Sequence, residues 1–365
     1  MKSSLLKVYE STQKRELPKH ELEFGRTFTD HMFVMDFSES EGWHDAKIVP
    51  YEPLSIDPAA MVFHYGQSVF EGLKAYLSPQ GEPLLFRPEK NIARLNKSNE
   101  RLCIPAIDEE FLLDALKELI QIDQNWIPSA NGTSLYIRPF IISTEPFLGV
   151  ALSTQYKLII ILSPVGAYYK EGINPVKIAV ENEYVRAVRG GTGEAKTGGN
   201  YASSLKAQEQ AANGGYAQVL WLDGVEKKYI EEVGSMNVFF KIKDEVVTPE
   251  LNGSILNGVT RDSVIQLLEY WGVNVIERKV TIEEIYEEYK KGNIDEVFGS
   301  GTATVISPVG QLDWNNYQMV FNNGETGNLV QKVYETLTGI QYGRLEDPFN
   351  WIEQVNVRRR VNKVG

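Results

Sequence analysis

The sharpest break in this 365-residue chain follows the continuous apolar run at 158–163, where Pro164, Gly166, Gly172 and Pro175 form the densest turn cluster between strong elements. A chain of this length exceeds the size at which one hydrophobic core stops growing, so the break reads as a domain boundary. We place a small N-terminal α+β domain over residues 1–165, a linker over 166–177 and a larger C-terminal domain over 178–365. The apolar periodicity before the break predicts strands over 32–37, 73–77 and 134–142 and helices over 89–101 and 108–125. Beyond it, strands are expected over 178–180, 217–222, 236–241 and 295–298, and helices over 202–212, 261–271, 282–290 and 326–338.

The formal net charge of −12 argues against nucleic acid as a partner, because phosphate binding is driven by clustered Lys and Arg. No apolar run approaches the length of a membrane span, and the N-terminal stretch at 1–18 lacks an apolar core, so a cytoplasmic location without membrane partners is expected. With Cys103 as the single cysteine and four scattered histidines, no thiolate cage for a metal is expected. Difficult chemistry must then come from Lys, carboxylates, Tyr or an organic cofactor.

The most unusual segment is G-G-T-G-E-A-K-T-G-G-N-Y at 190–201, one lysine among five glycines, followed by an amide and a phenol. Glycines let a ligand approach the main chain, and a lysine held in a protected place can lose its proton. An unperturbed lysine has a pKa of about 10.4, so a nucleophilic amine needs desolvation or cationic neighbours, a role open to Arg186 and Arg189. The Lys-Thr pair at 196–197 is not a P-loop, since Ala195 stands where that motif needs glycine. A flexible surface turn with a solvated lysine is the competing reading of this segment taken by itself.

Distant segments each suit one part of pyridoxal phosphate, whose aldehyde needs an amine and whose ring nitrogen needs an acid. Glu232, in E-E-V-G-S-M-N, is the candidate for the ring nitrogen, and Glu231 points to the opposite face if the segment is extended. The segment G-S-I-L-N-G-V-T-R at 253–261 runs into an expected helix, where main-chain N–H groups and the helix dipole meet an anion. G-S-G-T at 299–302 adds a small-residue loop with hydroxyl donors.

Further motifs accompany these: F-G-R-T-F-T-D-H-M from Phe24, H-Y-G-Q-S-V-F-E-G-L-K-A-Y from His64, F-R-P-E-K-N-I-A-R-L from Phe86, Y-I-R-P from Tyr136 and E-P-F-L-G-V from Glu145. Together with the lysine loop, E-V-G-S-M-N from Glu232 and F-G-S-G-T-A from Phe298, the chain resembles the fold-type IV aminotransferases, and within them the branched-chain amino acid aminotransferases. The resemblance covers nearly the whole chain. It implies an α+β fold of two mixed domains with the cofactor at their interface, and a homodimer.

Position by position, the resemblance implies that Lys196 holds the cofactor and shuttles the proton, Tyr201 donates to the ring oxygen, and Glu232 partners the ring nitrogen. Arg94, the backbone of Val259 and Thr260, and the Thr302 hydroxyl are implied for the phosphate, with Ser235 and the Ala303 N–H near the substrate α-carboxylate. Phe24, Tyr65, Phe70, Tyr136 and Tyr168 are implied to line the side-chain pocket, with Leu148 and Val150 reaching in from a partner subunit. Arg138 and the tyrosines would let the same pocket take the distal carboxylate of glutamate. The implied reaction is reversible transfer of the amino group of L-leucine, L-isoleucine or L-valine to 2-oxoglutarate, giving the branched 2-oxo acid and L-glutamate. The alternatives are a D-amino acid aminotransferase, an aminodeoxychorismate lyase, or a non-catalytic protein that keeps the fold. Vertebrate relatives carry a Cys-x-x-Cys pair where this chain has Thr304 and Ser307, so thiol-based redox control at that place is not expected.

Overall fold

Strand pairing organises the chain into two sheets, and a computed structural model describes residues 6–12, 14–18, 22–166, 173–355 and 362–363. The chain divides into one unit of residues 1–168 with 339–365, and a second of residues 169–338. The helix Asn328–Gln341 runs across the second division.

In the first unit the strands lie in the order Ile352–Gln354, Pro83–Phe86, Leu73–Leu77, Ser134–Ser143, Gln155–Val165, His31–Ser38, Gly42–Pro50, Lys7–Val8 and Asn362–Lys363. A short strand, Ser68–Phe70, also pairs with Ser134–Ser143. Alternation sends Leu135, Ile137 and Ile141 to one face, where they pack with Leu95 of the helix Pro88–Arg101 and Leu112, Leu116 and Leu119 of the helix Glu109–Ile122. The second helix starts where Asp108 accepts the N–H of Phe111 and Glu109 and Glu110 fill the first turn, ahead of the apolar stripe. Tyr136 and Arg138 belong to the opposite face, on the side of the smaller cluster of Met32, Val34 and Ile159. The sequence pattern runs the second domain unbroken to residue 365, whereas the strand Ile352–Gln354 pairs with Pro83–Phe86 in the first unit.

In the second unit the strands follow the order Ile230–Val233, Gln218–Leu222, Val176–Glu181, Val305–Trp314, Ile294–Gly301, Met236–Ile242, Glu245–Pro249 and Asn274–Arg278. Ile230–Val233 pairs with Met236–Ile242 as well, so the first six of these strands close on themselves. Ile178, Leu220, Val233, Val238, Phe240, Val297 and Leu312 fill one face of the closed sheet. Glu232, Asn237 and Ser300 stand in register across three of its strands, on the face opposite Val233 and Val238. The expected helix over 202–212 forms as two pieces, Gly198–Ala202 and Leu205–Asn213, so helical structure begins two residues after Lys196.

Candidate active site

The lysine loop is held by its own asparagine. Asn200 donates from Nδ2 to the carbonyls of Thr192 at 2.8 Å and Ala195 at 2.9 Å, and its Oδ1 accepts the Thr192 hydroxyl at 2.8 Å. These bonds pin the backbone just before Lys196. The turn of helix that follows brings Tyr201 back, so that Lys196 Nζ donates to its hydroxyl at 2.7 Å. Gly193 lets this loop lie against another, since a Cβ there would stand 2.3 Å from the Ser254 carbonyl oxygen.

Glu232 is 3 % exposed, and its carboxylate is met from two sides. Its Oε1 accepts the Leu256 N–H at 2.9 Å, and its Oε2 lies 2.8 Å from Arg186 Nε. Burial raises the Glu232 pKa above the ordinary carboxylate value, and Arg186, the Leu256 N–H and the Lys196 charge act against that rise. Lys196 therefore stands within electrostatic reach of Glu232. Glu231 turns elsewhere, accepting from the Ser254 hydroxyl and from Asn252, and burial raises its pKa too.

The segment that meets Glu232 leads into the helix Val259–Tyr270, whose N-terminus carries no side-chain cap. Its first main-chain N–H groups, at Val259 and Thr260, have no acceptor within the helix and face outward from its positive end. Gly258 precedes them because a Cβ there would fall 2.1 Å from Asn237 Oδ1, and Asn237 is fixed by donating to the Leu256 carbonyl at 2.9 Å. Thr302 and Ala303 are half-buried in the turn after the strand Ile294–Gly301. Ser235 is exposed in the two-residue turn between the paired ends Val233 and Met236, where Gly234 supplies the positive φ of 58°. Thr304 faces the Met236 sulfur at 3.3 Å. A buried acid, an amine against a phenol and an uncapped helix N-terminus match the three demands of pyridoxal phosphate: a proton held at the ring, an amine for the aldehyde and donors for the phosphate.

In the first unit, Arg94 forms a two-point pair with Glu71, Nε to Oε1 at 2.7 Å and Nη2 to Oε2 at 2.9 Å. Asn91 and the Gly72 N–H also donate to Glu71, which is 1 % exposed. Phe24 and Tyr136 meet edge to face at 4.8 Å. The Arg138 guanidinium lies over both Phe70, at 4.9 Å, and Tyr136, at 5.2 Å, and donates to the Tyr136 hydroxyl at 2.9 Å. Its Nε is buried with no hydrogen-bond partner among the described residues. Tyr65 instead donates to the Leu148 carbonyl, in a loop where Leu148 and Val150 are largely exposed. Tyr168 lies outside the described residues.

Sequence reasoning gave Glu71, Asn200 and Asn237 no role, because each acts on backbone or on a distant partner. It passed over Lys74 as well, which pairs in register with Tyr136 and whose amine is pushed down to about 8 by burial.

Residues 68–312 match the family described as amino-transferase class IV. A curated relative, branched-chain-amino-acid aminotransferase 2 of Bacillus subtilis (strain 168), is 66% identical over 345 residues, covering 94% of this chain and 95% of the relative. Among solved structures, the Escherichia coli branched-chain amino acid aminotransferase superposes with a TM-score of 0.75 at 29% identity, covering 90% of this chain and 99% of that one. The T.th. branched-chain amino acid aminotransferase complexed with N-(5'-phosphopyridoxyl)-L-glutamate gives a TM-score of 0.73 at 27% identity, covering 89% of this chain and 98% of that one.

Proposed function

We infer how the site works from one premise: the chain belongs to the class IV aminotransferase family and is a pyridoxal-phosphate-dependent branched-chain amino acid aminotransferase. The reaction we assign is reversible transfer of the amino group of L-leucine, L-isoleucine or L-valine to 2-oxoglutarate, yielding the branched 2-oxo acid and L-glutamate. The observation that carries this reading is the Lys196 amine, held 2.7 Å from Tyr201 and within reach of the buried Glu232 charge.

When bound, pyridoxal phosphate supplies an aldehyde carbon for the amino group and a protonated ring that draws electron density from the substrate Cα. Glu232 is assigned to hold the proton at the ring nitrogen, which needs the carboxylate in its charged form. Lys196 is the general base at the substrate Cα, with Tyr201 orienting its amine by the hydrogen bond described above. The main-chain N–H groups of Val259 and Thr260 at the uncapped helix N-terminus and the Thr302 hydroxyl are assigned to the phosphate, as is Arg94, whose guanidinium Glu71 holds. Ser235 and the Ala303 N–H are assigned to the α-carboxylate.

Phe24, Tyr65, Phe70, Tyr136 and Tyr168 are assigned to the substrate side chain, where an aromatic wall excludes water from leucine, isoleucine and valine. Arg138 is assigned to the distal carboxylate of the dicarboxylic substrate, a reading its unpartnered buried Nε supports. The exposed Leu148 and Val150 are the surface we assign to a homodimer, in which they complete the partner's pocket. No described helix is long and apolar enough to cross a membrane; a cytoplasmic location is a separate part of the proposal.

The near-visible absorption of the protein loaded with pyridoxal phosphate tests this reading. The band is expected to disappear on addition of L-leucine and to persist with D-alanine. A response to D-alanine alone would assign a D-amino acid substrate, and no band after loading would remove the cofactor assignment.

A further inference from the structure

Arg186 ties together the three segments that build the cofactor half of the site, and the assigned mechanism gives it no role. It is 8 % exposed. Its Nε stands 2.8 Å from Glu232 Oε2, and its Nη2 donates to the Ser254 carbonyl at 2.5 Å and reaches the Gly193 carbonyl at 3.5 Å. Its own carbonyl accepts the Ser203 hydroxyl at 2.8 Å, just beyond the helical turn that carries Tyr201. One side chain thus touches the ring-nitrogen carboxylate, the lysine loop and the segment leading to the phosphate helix.

We propose that Arg186 is the positioning residue of the assigned reaction, keeping Glu232 ionised while its fork locks the lysine loop to the segment at 252–256. The inference rests on the pyridoxal-phosphate reading given above. Two separable jobs follow from the chemistry of a guanidinium, which is both a permanent charge and a rigid set of donors. The charge is needed because Glu232 is buried, and an unpaired carboxylate in such a place takes up a proton. The groups that act on Glu232 are Arg186, the Leu256 N–H and Lys196, which favour its charge, and Glu231, which opposes it. Arg186 is the strongest of the favourable influences. The fork is needed because the Ser254 and Gly193 carbonyls are both backbone, and only an extended planar donor set reaches both along with a carboxylate.

Lysine and methionine at 186 separate the jobs. With Arg186→Met, Glu232 becomes neutral and the ring nitrogen loses its charged partner. The pH midpoint of the near-visible band of the holoenzyme should rise by about one unit or more, because the ring nitrogen no longer holds its proton and the positive charge beside the titrating group is lost, and kcat for L-leucine should fall by at least about tenfold. Arg186→Lys keeps the charge and should hold that midpoint near the wild-type value, yet release pyridoxal phosphate faster because the fork is lost. Adding Arg186→Met to Glu232→Gln should change kcat little further, since the arginine acts through the carboxylate. A midpoint unmoved in Arg186→Met, or losses from the two substitutions that simply multiply, would overturn the proposal. Should Arg186→Met fail to fold, wild-type cofactor release from Arg186→Lys would overturn the locking role by itself. Absence of any band in the wild-type holoenzyme would instead overturn the cofactor reading on which the proposal stands.

Discussion

Replacing Gly193 by alanine adds one methyl group at the contact between the lysine loop and the segment at 252–256, and leaves every assigned side chain in place. The new Cβ would stand 2.3 Å from the Ser254 carbonyl oxygen, 2.6 Å from its Cα and 2.7 Å from its carbonyl carbon. All three are backbone atoms, so no side chain can swing away. Ordinary contact begins near 3.4 Å, so one segment must retreat by about 1.1 Å (3.4 − 2.3). Ser254 resists that movement, because its hydroxyl bonds to Glu231, its N–H to Asn252 at 3.0 Å and its carbonyl to Arg186 at 2.5 Å. Overpacking a well-filled site costs roughly 1–3 kcal/mol, and stretching one charge-assisted bond adds about 1 kcal/mol or more. A loss of about 2–4 kcal/mol in the unfolding free energy of the cofactor-free protein is therefore expected. Urea unfolding followed by tryptophan fluorescence measures it. Gly199→Ala is the control, since a Cβ there meets nothing within 4 Å, and it should be neutral or mildly stabilising. If Gly193→Ala unfolds within about 0.5 kcal/mol of the wild type, the close loop contact is refuted.

Three other outcomes test separate parts of the account. Glu71→Gln leaves the Arg94 charge buried without its two-point partner and should destabilise the protein by about 3–5 kcal/mol, read from the urea midpoint. Arg138→Met should raise KM for 2-oxoglutarate at least about tenfold and change KM for L-leucine far less; equal changes in steady-state kinetics would contradict its assignment to the distal carboxylate. Asp30 is subject to burial, which would raise its pKa, but bonds from Trp126 and from the Arg15 side chain and N–H outweigh that and bring it below 3.8. Its stabilisation is thus fully present above pH 3.8 and is lost as pH falls through the lower folded value, so the stability gap between wild type and Asp30→Asn should close on acidification below 3.8. A gap that stays constant between pH 5 and about 2.5 would contradict this assignment.

What was legible in the sequence is local. The helix Ile282–Lys290 follows the expected range of 282–290, because an N-cap at Thr281 and an apolar stripe lie within its own residues. The lysine loop was visible for the same reason, since glycines mark places where backbone must bend or be approached. The strands Glu245–Pro249, Asn274–Arg278 and Val305–Trp314 went unread, as their pattern carries little alternation and their pairing is supplied by neighbours elsewhere in the sheet. Closure of six strands through Ile230–Val233 is a property of register, and no window of sequence contains it. Among site residues, Lys196 stands out by its glycine-rich setting, while the roles of Tyr201 and Glu232 became legible through the resemblance and the motifs around them. Arg186 was legible as a positive charge near the lysine loop, but its pairing with Glu232 was not, and Glu71 was not legible at all, because a buried ion pair is defined by a partner that is remote in the chain.

The central claim is that Lys196 carries out amino transfer from a branched L-amino acid. Incubating the holoenzyme with ¹⁵N-labelled L-leucine and 2-oxoglutarate, and following label by mass spectrometry, tests it directly. The account predicts ¹⁵N-labelled L-glutamate and the leucine 2-oxo acid in equal amounts from the wild type, and neither from Lys196→Ala. Transfer that survives in Lys196→Ala, or that proceeds from D-alanine and not from L-leucine, would contradict it.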